Sequence, residues 1–192
     1  MMSTEVTEQK KRMHPHKFTL WLGLGSIIMM FAGMTSAYIV KRNQANWQGF
    51  ELPKVFWYST FAILLSSLTI HLAVKAFKNR EMAKYRQLMS VTTVLGIIFI
   101  VLQIIGFYDL NARGIKLTGQ GSNVAGSFLF VIAALHMLHV LGGIVVMIIM
   151  FIKAFGGKTR NYSAVPIEMT ATYWHFVDGL WIYLFVFLNW IQ

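Results

Sequence analysis

Long uninterrupted apolar runs separated by short polar stretches set the pattern along this chain. The runs are Phe18 to Val40 without a charge, Val55 to Val74 with one histidine and Leu88 to Tyr108 without a charge. Val124 to Ile152 follows with two histidines, and Met169 to Gln192 closes the chain with one histidine and one aspartate. A helix needs about 20 apolar residues to cross a hydrocarbon core of about 30 Å, and each of the five runs reaches that length. Barrel strands would instead show alternation in segments of about ten residues. The pattern therefore predicts an all-α integral membrane bundle of five transmembrane helices. The connections are Lys41 to Pro53 with Trp47 and Phe50, Lys75 to Gln87, a glycine-rich turn from Asp109 to Asn123, and Lys153 to Glu168. No repeat or linker divides them, so residues 1–17 read as a tail and 18–192 as a single membrane domain.

Composition sharpens this reading. Charged residues make up 12% of the chain and hydrophobic residues 56%, whereas soluble domains carry roughly 25% charge. The many Phe, Met, Trp and Tyr side chains exclude a disordered basic tail, which lacks the apolar groups needed to offset ordering entropy. A formal charge of +10 raises nucleic acid as a partner, but such an interface needs cations gathered on one wet face. Here they sit between apolar runs, and no nucleic-acid partner is expected. The absence of cysteine removes disulfides, iron–sulfur clusters and thiol chemistry. Lys10, Lys11 and Arg12 precede a first apolar run with no small-residue cleavage site, so that run reads as a retained span and not a signal peptide. Twelve of the 17 Lys and Arg residues fall in the N-terminal tail and in the second and fourth connections. Cytoplasmic loops hold such residues, which places the N-terminus in the cytoplasm and the C-terminus on the opposite side.

Ionisable groups within spans are costly, and those that occur face the bundle interior. His136 and His139 lie three residues apart on one face of the fourth span, with Gly142 and Gly143 following where another helix can approach. The fifth span opens with Pro166 and Glu168, both suited to a first helical turn, and continues through Tyr173, Trp174, His175, Asp178 and Trp181. Glu168, His175 and Asp178 share one stripe. In antiparallel spans, His136, His139, His175 and Asp178 fall within roughly 12 Å in depth, which predicts one buried polar cluster in which His136 or His139 pairs with the Asp178 region. Three roles compete for it. A small b-type cytochrome would ligate haem with His136 or His139 and His175, but no histidine pair stands at one depth on two facing helices. A small transporter would pass protons or a substrate, but the first and third spans carry no charge. Hydrogen bonding that fixes the packing of the fourth and fifth spans outweighs both. His14 and His16 do not complete a metal site, His71 reads as an interfacial or packed histidine, and the methionines read as flexible core side chains.

The segment Glu168-Met-Thr-Ala-Thr-Tyr-Trp-His-Phe-Val-Asp-Gly-Leu-Trp181 resembles the final helix of haem-copper oxidase subunit III, which shows a Glu, then Tyr-Trp-His-Phe-Val-Asp and a Trp at the same spacing. His136-Met-Leu-His139-Val-Leu-Gly142-Gly is similar to that family's His-x-x-His-Val-x-x-Gly, and Phe31-Ala-Gly33-Met-Thr-Ser36-Ala-Tyr38 to its Ala-Gly-x-x-Ser-Ala-Tyr. Longer members have seven helices, the first two leaning apart around bound lipid, so the resemblance is to the short five-helix bacterial form. Aligning on Ala32 and Gly33 puts Ile27 where many members carry a mid-membrane Glu. The resemblance implies a non-catalytic core subunit of a terminal oxidase that reduces oxygen and pumps protons, in a bacterial inner membrane. It implies haems and copper in subunits I and II, none in this chain, with bound phospholipid possible. It also implies packing on subunit I, contact with subunit II and accessory subunits, and support of proton uptake and oxygen access. No catalytic or metal-ligating residue is expected here. His136, His139, Glu168, His175 and Asp178 are expected as a structural polar cluster, and Gly142, Gly143, Trp174 and Trp181 as helix-packing residues.

Overall fold

The computed structural model describes residues 15–43, 47, 49–119, 121–155 and 164–191, with side chains from residue 17 onward and to 153 in the fourth helix. Residues 1–14 with the basic tail and His14, the His16 side chain, Arg160 and Gln192 lie outside the described residues. The elements are α1 (Pro15–Arg42), α2 (Val55–Lys78), α3 (Met82–Ala112), α4 (Val124–Phe155) and α5 (Val165–Ile191). All five are long and apolar enough to cross a membrane, and no strand occurs among the described residues.

The helices run beyond the apolar stretches. The expected connection from Lys75 to Gln87 shrinks to residues 79–81, where Arg80 adopts φ 60° and Glu81 N–H donates to Ala76 C=O at 2.9 Å. The reason is that Lys and Arg stems can lie along apolar surface while their heads reach water. Helical hydrogen bonding therefore continues past the hydrocarbon, through Lys75 and Lys78 in α2 and Lys84 and Arg86 in α3. The glycine-rich turn between α3 and α4 is real, and Gly114, Gly119 and Gly121 all take positive φ, a conformation that side chains with a Cβ avoid.

The helix α5 is central. It packs on α1, α2 and α4, while α2 packs on α3 and α3 on α4. Its Trp174 and Trp181 side chains extend to α3, where Gly96 and Phe99 receive them. By contrast, of the described helices α1 packs on α4 and α5 alone, and it buries one stripe, Leu24, Phe31, Thr35 and Tyr38. Its remaining apolar surface faces outward, which costs little where lipid tails are as apolar as the side chains. The N-terminal end of α1, the C-terminal end of α2 and the N-terminal end of α5 meet at one end of the bundle. There Glu168 pairs with Lys78 at 2.9 Å and with Lys17 at 3.5 Å.

Candidate functional site

The side chains that sequence reasoning grouped together occupy three separate places. His136 is fully buried, with its ring 5.1 Å from Trp181, 5.7 Å from Phe99 and 6.4 Å from Phe31, centroid to centroid. Neither of its ring nitrogens has a hydrogen-bond partner. His175 and Asp178 face α2: His175 Nδ1 lies 2.6 Å from Ser67 Oγ, and the Asp178 carboxyl lies beside the Ser66 and Ser67 hydroxyls. Both Asp178 oxygens, in a residue only 2% exposed, make no hydrogen bond among the described residues. Glu168 stands at the helix end with its two lysines. The expected hydrogen bond from His136 or His139 to Asp178 is not formed. His139 Nδ1 lies 2.7 Å from the Leu135 carbonyl of its own helix, and its own carbonyl accepts from Tyr173 Oη at 3.0 Å. The tie between α4 and α5 therefore runs through a tyrosine and a backbone oxygen.

One chemical logic repeats along the face of α2. Ser59, Thr60 and Ser66 each spend their hydroxyl proton on a carbonyl one turn back, Phe56 for the first two and Ile63 for the third, at 2.9, 2.8 and 2.7 Å. Their lone pairs are then free to accept, and each receives an N–H from a neighbouring helix. Gln103 Nε2 of α3 donates to Ser59 at 2.9 Å, Trp181 Nε1 of α5 to Thr60 at 3.0 Å and Trp174 Nε1 of α5 to Ser66 at 3.0 Å. An indole N–H can only donate, so a buried Trp in an apolar bundle needs an acceptor at that depth. Trp174 and Trp181 are seven residues apart and their acceptors Ser66 and Thr60 six, a little under two helical turns in each case, so the antiparallel registers match. Sequence reasoning missed Ser59, Thr60, Ser66, Ser67 and Gln103 because it searched the spans for ionisable groups. A hydroxyl carries no charge and bonds readily to its own helix, so no signal in the sequence marked these residues.

Glycine makes the slot for the larger rings. A Cβ at Gly143 would lie 2.8 Å from Trp174 Cε3, and one at Gly96 2.9 Å from Trp174 Cη2, closer than real Cβ contacts allow. Trp174 is thus held between α3 and α4 at two glycines. Gly142 has only the Tyr173 hydroxyl nearby, at 3.8 Å, so of the two expected packing glycines Gly143 carries the close approach. The haem reading has no geometric support: the surroundings of His136 are taken by Phe31, Phe99 and Trp181, while His175 turns to α2. Among the described residues no three His, Asp or Glu side chains are grouped to hold a metal.

The sequence model of the family described as cytochrome c oxidase subunit III matches residues 42–192. The chain belongs to this family. Subunit III relatives include the probable cytochrome c oxidase subunit 3 of Nocardia farcinica, 29% identical over 90% of this chain and 85% of its own. The cytochrome c oxidase subunit 3 of Corynebacterium diphtheriae is 30% identical, covering 88% and 84% respectively. A cytochrome bo(3) ubiquinol oxidase subunit 3 from Buchnera aphidicola is 28% identical over 96% of this chain and 89% of its own. This subunit III is accordingly a multi-pass membrane component of a haem-copper oxidase complex, and the α2–α5 hydrogen bonds lie within the matched region.

Proposed function

We propose that this chain serves its oxidase without a catalytic centre of its own, as a rigid brace packed directly on subunit I in a bacterial inner membrane, with subunit II and accessory subunits completing the complex. The observation that carries this reading is the use made of its buried polar groups. Hydroxyls of α2 and donors of α3 and α5 are consumed in tying helices together, which is what a scaffold needs. His136, His139, Glu168, His175 and Asp178 act structurally in this reading, as do Trp174, Trp181 and the glycines. Haems, copper and the redox steps of the proton pump belong to the partner subunits.

Support of oxygen access and proton uptake rests on two further features. Between α1 and α4–α5 lies an open apolar crevice with a volume of about 590 Å³, lined by Leu20, Gly142, Val146, Met169 and Tyr173 among others, and continued by a cavity of about 440 Å³ against Gly23, Leu24 and Ile27. Apolar space of this kind favours dissolved oxygen over water. With Ile27 in place of the family's mid-membrane Glu, the crevice carries no carboxylate at that position. At the end assigned to the cytoplasm, Glu168, Lys17 and Lys78 place charge where protons enter from water.

The test is a complex stripped of this subunit. Its haem spectrum should persist and its initial oxygen-reducing rate near neutral pH should remain substantial. Progressive inactivation over repeated turnovers should follow, with a steeper fall in rate as pH rises and protons become scarce. A stripped complex with its metals in place that consumes no oxygen from the first turnover would show that this chain takes part in the chemistry.

A further inference from the structure

A second cavity, of about 600 Å³, opens on the outside of the bundle between α3 and α4, beneath the loop that joins them. Its composition changes with depth. The floor is an edge-to-face pair, Phe107 of α3 and Phe130 of α4, with ring centroids 5.3 Å apart, flanked by Ile104 and Met137. The rim is polar and is formed by Tyr108, Asn111, Lys116 and Thr118. From the end of α3 at Ala112 back to Ile104, and from the start of α4 at Val124 to Met137, the groove descends about 12 and 20 Å at 1.5 Å per residue. Half of a hydrocarbon core of about 30 Å is about 15 Å. The groove is therefore one leaflet deep.

The rim is built and not draped. Asn123 N–H donates to the Lys116 carbonyl at 2.9 Å, and Ser127 Oγ donates to the Leu117 carbonyl at 2.8 Å. Ile115 and Leu117 pack down on Gly126, where a Cβ would lie 3.0 and 3.3 Å from their side chains. These contacts pin the backbone that carries Lys116 over the groove mouth. The neighbouring Arg113 is held by Asp109 at 2.7 Å, and among the described residues Lys116 has no carboxylate partner. Tyr108, 72% exposed, sits at the depth where aromatic hydroxyls favour the interface.

We propose that this groove binds an anionic phospholipid, with its phosphate at the Lys116 ammonium and the rim donors, and one acyl chain along Ile104, Phe107, Phe130 and Met137. The single unpaired cation selects a headgroup with net negative charge over a zwitterionic one, because an ammonium at the membrane surface attracts anionic lipid. The chain length that fits is that of one leaflet.

The purified oxidase complex in phosphatidylcholine nanodiscs, doped with a phosphatidylglycerol carrying a photoactivatable group in its acyl chain, tests this. Labelling should map to α3 around Ile104 and to α4 around Met137. Lys116→Gln should lower it about fivefold, the worth of one juxtamembrane cation, and Ile104→Trp, which fills the groove, should abolish it. Excess unlabelled phosphatidylglycerol should compete and inorganic phosphate should not. Equal labelling by the corresponding phosphatidylcholine probe, no change in Lys116→Gln, or competition by inorganic phosphate alone would each overturn the proposal. Because the chain lacks cysteine, Tyr108→Cys gives one reporter in this subunit. Its cross-linking to another subunit, with no lipid labelling, would make the groove a protein interface and defeat the proposal.

Discussion

Trp174 concentrates the physics of this bundle in one side chain, because its faces and its N–H are constrained by different helices. The ring lies against Gly96 and Gly143, and the indole N–H donates to Ser66. A methyl at either glycine must displace the ring, and overpacking of this kind costs about 1–3 kcal/mol. Gly143→Ala should therefore lower the amount of subunit that co-purifies with the complex in detergent. Combining it with Trp174→Phe, which removes the ring atoms that clash, should restore part of the loss, and simple additivity in that cycle would show that the slot is not what couples them. Asp178 invites a different expectation. Having no charged partner, it stands among hydroxyls, so Asp178→Asn should leave assembly nearly intact. Asp178→Ala removes the carboxyl that stands beside the Ser66 and Ser67 hydroxyls and leaves a void in its place, so it should lower assembly more than Asp178→Asn does. Equal loss in both variants, read from subunit content, would point instead to a requirement for the acid itself.

Among the elements, α1 is the least embedded, and its N-terminal half is separated from α4 and α5 by the apolar crevice. What spans that gap at its mouth is Glu168, which holds Lys17 of α1 and Lys78 of α2. Exposed ion pairs are worth about 0.2–1 kcal/mol each, so Glu168→Gln should lower disulfide cross-linking between cysteines placed at Leu20 and Met169 by a few fold, and high salt should act likewise. Yields that respond to neither change would remove Glu168 as the tie. The helices themselves were legible in the sequence, since apolar length reports a span directly, but their ends were not. Lys84 and Arg86 read as loop residues, yet both are helical because their stems tolerate apolar surroundings. The candidate site was legible only in part. The residues of α5 were found by their charge and aromatic content, whereas Ser59, Thr60 and Ser66 escaped because a hydroxyl is inexpensive in a helix, where it can bond to its own carbonyls. Nothing in one sequence announces which of those hydroxyls will face an indole.

At the scale of the whole molecule, the charge bias and the packing agree on which ends lie together, and orientation becomes a direct prediction. Single cysteines at Arg80 and Arg160 should react with a membrane-impermeant reagent from the cytoplasmic side, and those at Asn43, Asn111 and Gln192 from the opposite side. A cytoplasmic Gln192 would break the five-span arrangement. The contact order of the helices carries a further consequence, for biogenesis. Among the described helices α1 packs on α4 and α5, which are made after it, and the acceptors on α2 wait for indoles on α5. Until the 27-residue α5 enters the membrane, α1 to α4 are an open set with unfilled hydrogen-bond acceptors and a vacant tryptophan slot. Insertion of α5 thus closes this set of five helices. A chain truncated before α5 leaves these acceptors unmatched in lipid and should fail to co-purify with the complex.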